Sequence, residues 1–105
     1  MTNPNEYNFV GYKLLFYRGR YEHGLGTALY AMCSNGTPYG NISVNLDETL
    51  PSGQIFMDMN NAGNLCEQME KDGLLKRTGY ERRSGYCLYP AAKITEKLEK
   101  ILTEL

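Results

Sequence analysis

The sequence predicts a single α+β domain: an antiparallel sheet of four to five strands packed with one short internal helix and a C-terminal amphipathic helix. Three observations carry this. Short runs rich in branched and aromatic residues alternate with Gly, Asn and Pro punctuation as far as Asp58. Leu65 and Met69 lie four residues apart between Asn60 and Gly73, and apolar residues recur at helical spacing from Ile94 onward. With 105 residues, 42% hydrophobic and 22% charged, the chain can bury one modest core and lies outside the composition of disordered proteins.

The first strand is expected at Phe9–Tyr17, where Lys13 is the only charge in an aromatic and branched run. Arg18–Gly26 carries three glycines and mixed charge and reads as a loop. Thr27–Ser34 leads into Asn35-Gly36, a dipeptide that tolerates the two positive φ angles of a type I′ turn, and Tyr39–Leu46 returns as the partner strand. In that strand Ile42, Val44 and Leu46 alternate with Ser43 and Asn45, so one face is buried and the other wet. A fourth strand is expected at Gln54–Asp58. Asn60 or Asn61 then caps a short helix whose C′ position is Gly73, a residue free to turn left-handed. A loop containing Gly79 and Gly85 precedes a strand at Tyr86–Tyr89. Ile94, Leu98, Ile101, Leu102 and Leu105 form one face of the terminal helix.

Composition excludes several classes of function. No apolar stretch approaches the ~18 residues a spanning helix needs, because Lys13, Ser34 and Asp58 interrupt the longest runs. The first residues, MTNPNEYNF, show no basic segment leading into an apolar one, so export is not expected and a cytoplasmic setting is. Cys33, Cys66 and Cys87 show no C-x-x-C spacing, and the lone His23 completes no zinc set, so the thiols read as reduced and mostly buried, with no metal or cofactor. Asp58-Met-Asn60-Asn-Ala62-Gly63 opens like a calcium loop but places Ala62 at its fifth position and Met69 where a bidentate Glu belongs. No spacing pairs His23 with a nucleophile, and no phosphate-binding glycine loop is present, so an enzyme is not expected and a small hydrolase ranks last.

Charge is more informative in its distribution than in its net value of −1. Asp47–Asp72 holds six acids against Lys71, whereas Lys76–Lys93 holds five bases against Glu81. In the basic segment Arg77, Arg82 and Arg83 interleave with Tyr80, Tyr86 and Tyr89, a mixture enriched in protein interface hot spots and also able to stack bases while pairing with phosphates. These six residues form the expected partner-binding site. The plain alternative is a solvated loop whose arginines pair with the acidic helix.

Pro38–Leu46 (PYGNISVNL), Asp58–Asn61 (DMNN), Gly73-Leu74, Thr78-Gly79 and Arg83–Pro90 (RSGYCLYP) occur in an order that resembles a family of short proteins known only as a domain of unknown function, from gut bacteria and their conjugative elements and phages. The resemblance spans about Ala28 to Pro90, and the expected terminal helix runs past its end. It implies a cytoplasmic accessory protein and transfers no catalytic residue. The leading expectation is a non-enzymatic interaction module with a protein partner, modulating a host system. Nucleic-acid binding through the Tyr/Arg surface comes second, and a homodimer is a further reading.

Overall fold

In a computed structural model, which describes residues 5–21, 26–46 and 48–104, two sheets and a helix share one core. The elements in chain order are β1 (Tyr7–Phe9), β2 (Tyr12–Arg20), β3 (Thr27–Cys33), β4 (Pro38–Asn41), β5 (Ser43–Val44), β6 (Gln54–Met57), α1 (Met59–Lys71), β7 (Leu75–Ser84), β8 (Cys87–Ile94), α2 (Glu96–Glu99) and β9 (Leu102–Glu104). The first sheet runs β1-β2-β3-β4, with β9 added beside β2; the second runs β5-β6-β8-β7. The antiparallel architecture with an internal helix stands, but as two sheets rather than one.

Several elements differ from the sequence reading. The first strand is a hairpin, because Val10-Gly11 turns the chain between Phe9 and its partner Tyr12. Asn35-Gly36 does join two strands, through a three-residue connection rather than a type I′ turn. The amide of Gly36 donates to the Cys33 carbonyl (2.9 Å) and the amide of Cys33 to Thr37 (2.7 Å). Gly36 alone is left-handed, at φ +94, which is the form of a type I turn followed by a glycine bulge.

The strand expected at Tyr39–Leu46 breaks at Ile42 and changes sheets there. The Ile42 amide donates to the Leu29 carbonyl, and its own carbonyl accepts from the Asp58 amide (2.8 Å), so this residue staples the two sheets together. The simple alternation fails for the same reason. Ser43 is buried beside Ile42, its Oγ accepting from the Leu29 amide at 2.9 Å and lying 2.6 Å from the Tyr21 hydroxyl, so the polar group is satisfied.

The cap of α1 is Asp58 rather than Asn60 or Asn61. Its Oδ1 accepts from the Asn61 amide at 3.1 Å, and its charge suits the positive end of the helix. Leu65, Cys66 and Met69 face the core. Gly73, at φ +78, closes the helix as expected: its amide donates to Glu70 and the Leu74 amide to Met69, the paired bonds of a Schellman motif.

The C-terminal amphipathic helix is not formed. Ile94 ends β8, Thr95 caps the single turn α2 by accepting from Leu98, and β9 then pairs in parallel with Phe16–Arg18. β1 covers only the first part of that edge of β2, so β9 supplies partners to backbone groups that would otherwise lie open. One isolated turn cannot compete with such pairing, since short helices are marginal on their own.

Candidate interaction site on a two-stranded arm

The segment expected as a loop before Tyr86 is β7, and it pairs with β8 as far as Ser84↔Cys87, leaving Gly85-Tyr86 as the turn. β6 pairs with β8 only at Ala91–Lys93. Beyond Ala91 no third strand among the described residues pairs with either, so Glu81–Ser84 and Cys87–Pro90 form a two-stranded arm extending from the second sheet. Pro90 sits where β8 leaves β6, a place where its missing N–H breaks no ladder with a third strand.

The pairing shifts between Arg77↔Ala92 and Glu81↔Pro90, so Thr78, Gly79 and Tyr80 bulge out of β7. Gly79 takes φ +95 within it, a conformation that favours glycine. The bulge brings the Tyr80 ring to 6.1 Å from that of Phe56, and its hydroxyl donates to Glu48 at 2.9 Å. Arg82 donates to the same carboxylate at 3.1 Å. Glu48 belongs to the segment that covers the outer face of the second sheet with Leu46 and Leu50, over Phe56, Ala91 and Tyr89. Bonding to Glu48 raises the Tyr80 pKa, as hydrogen bonding with Cys87 raises that of Tyr89.

The six residues singled out by sequence therefore separate into groups. Arg77 makes a bidentate pair with Glu70 of α1, at 2.9 and 3.1 Å, which holds its pKa above the usual guanidinium value. Arg82 and Tyr80 share Glu48, and Tyr89 packs on the small second core. Arg83 and Tyr86 are exposed on the arm, Tyr86 fully so at 102%, and neither side chain forms a hydrogen bond or ion pair within the described residues. Leu88, across from Arg83, adds an apolar side chain that is 46% exposed. Sequence reasoning missed Leu88, whose exposure follows from the arm and has no local signal.

Other chemistry is sparse. His23 and Asp47 lie outside the described residues. The carboxylate oxygens of Asp58, first residue of the truncated calcium-like loop, bond the amide and side chain of Asn61, both at 3.1 Å. Among the described residues no His, Cys, Asp or Glu cluster is arranged to hold a metal, and no helix is long and apolar enough to cross a membrane. Cys66 is buried, and burial pushes its thiol up to about 12; Cys33 and Cys87 are half-buried rather than enclosed. A groove of about 640 Å³ separates α1 from the β1–β2 turn, lined by Val10, Tyr39, Met59, Asn60, Asn64 and Gln68 among others. Its polar lining holds no nucleophile next to a base.

A family model described as a domain of unknown function, DUF4313, matches residues 13–103. The chain belongs to the DUF4313 family. The match takes in β2 through β9, so the DUF4313 unit includes the arm and also the C-terminal turn and strand beyond Pro90. No curated protein matches this DUF4313 chain. No solved structure matches it either.

Proposed function

We propose that this DUF4313 protein is a non-enzymatic interaction module whose β7–β8 arm seats on an acidic surface of a protein partner. One observation carries the reading: the arm projects Arg83 and Leu88 from a paired ladder, and Tyr86 from the two-residue turn that closes it, into solvent. A rigid ribbon presents an aromatic and a guanidinium at small entropic cost, and Tyr and Arg are the residue types that dominate interface energetics. Arg77, Tyr80, Arg82 and Tyr89 serve at its base, where their internal bonds fix the angle of the arm. The resemblance to accessory proteins of mobile elements supports a cytoplasmic host protein as partner and modulation of that host system as the role.

The test is an Arg83→Glu, Tyr86→Ala double variant compared with the parent in quantitative capture from host extract, with and without nuclease. The reading expects a discrete protein retained by the parent, resistant to nuclease and lost from the variant, while the melting temperature stays unchanged. Equal capture by both proteins overturns it. A two-stranded ribbon also fits the major groove of duplex DNA, and that second reading expects nuclease-sensitive capture with a steep salt dependence.

A further inference from the structure

A second surface, remote in register from the arm, lies on the outer face of the first sheet. The core takes Leu14 and Phe16 of β2 with Leu29 and Ala31 of β3. Strand geometry sends the intervening residues the other way. Leu15 pairs with Met32 and Tyr17 with Tyr30 on that outer face, and the two tyrosine rings stack at 5.7 Å with only 17° between their planes. All four residues are half-buried, and none packs on either hydrophobic cluster of the described residues. Among the described residues Lys13 is the one charged residue whose register places it on this face.

We infer that this face is a homodimer interface, on which a second copy of the chain packs its own Leu15, Tyr17, Tyr30 and Met32. Two arguments select a second copy. A face whose one charge is Lys13 gives a strongly charged partner little to pair with, and meets its own image without like-charge repulsion across the centre. An isologous contact needs a patch that complements itself, and flat tyrosine rings flanked by Leu and Met interdigitate in that way. The area sets the strength of the contact. With each strand taken at its own length, ~3.3 Å per residue along it and ~4.8 Å between strands, the sheet covers a flat area of roughly 410 Å² before side-chain relief is added. That lies below the roughly 600 Å² per partner of the smallest specific interfaces, so the dimer is expected to be weak, reversible and concentration-dependent. Two arms on one dimer would bind a repeated partner with avidity.

Sedimentation velocity across about 1 to 200 µM tests this on the intact chain. The inference expects a monomer–dimer shift in the parent, weakened about tenfold or more by Met32→Lys and separately by Tyr17→Lys, with the far-UV spectrum unchanged. The Arg83→Glu, Tyr86→Ala variant is expected to dimerise like the parent, which keeps this test independent of the arm. A parent that stays monomeric throughout the range overturns the inference. So does a dimer that survives both lysine substitutions in folded protein, or one that is lost only with the arm variant. Should one lysine variant fail to fold, the parent and the other variant decide.

Discussion

Val10 occupies a position that its side chain disfavours, and relieving it should stabilise the protein. It stands at φ +39 as the first residue of the β1–β2 turn, next to Gly11 at φ +90. The left-handed region costs an L-residue roughly 1–2 kcal/mol, and a β-branched side chain stands at the unfavourable end. Val10 is 77% exposed, so its truncation gives up only about a quarter of the ~1.5 kcal/mol that full burial of a valine is worth, roughly 0.4 kcal/mol. Val10→Asn, which tolerates this conformation, should therefore gain about 1 kcal/mol, or about 4 °C in melting temperature for a domain of this size. Val10→Gly relieves the same strain but returns roughly 0.5–1 kcal/mol through the entropy of the unfolded chain, so it should land near the parent. Urea and thermal unfolding of the three proteins give the order. An Asn variant no more stable than the parent refutes the reasoning, because the turn would then carry no strain to relieve.

Gly36→Val forces a branched side chain to φ +94 and should destabilise the fold by more than about 1 kcal/mol; an unchanged unfolding midpoint contradicts this. The three thiols are expected to be reduced, with no stoichiometric metal, by intact mass and elemental analysis; in native protein Cys66 should react with a thiol reagent far more slowly than Cys33 or Cys87, because it is buried and resists ionisation. The Tyr7 hydroxyl donates to Asp72, which lowers the Asp72 pKa, helped by Gln68; burial of Tyr7, and then the same bond, raise that of Tyr7. A carboxylate with a depressed folded pKa stabilises fully above its unfolded value of about 3.9 and loses that as pH falls, while a phenol with a raised one loses its contribution as pH climbs past about 10. Tyr7→Phe should thus lower stability between those limits and flatten the loss at both ends, as read by melting temperature against pH.

How much of this was legible depends on whether the deciding contact is local. The Asn35-Gly36 hairpin and the Gly73 stop are written in adjacent residues, and both appear in the structure. β7 was hidden because periodicity reveals a strand through its buried face, and most of this strand has none: Lys76–Glu81 is exposed throughout. The terminal helix was misread for the opposite reason. Ile94, Leu98, Ile101 and Leu102 all meet the same core, but from a strand, a turn and another strand, and what decides this is the open edge of β2 some 85 residues upstream. The site residues were legible as a composition of Arg and Tyr. Which of them are free was not, since the partners Glu70 and Glu48 come from other elements of the fold.

The claim that the arm is the contact surface is tested most directly by placing a photo-reactive phenylalanine analogue at Tyr86, and separately at exposed Asn45, in cells that make the protein. Illumination should give a discrete, nuclease-resistant protein adduct from position 86 that is absent from position 45 and that disappears when Arg83→Glu is added. No adduct at 86, or the same adducts from both positions, would contradict the account.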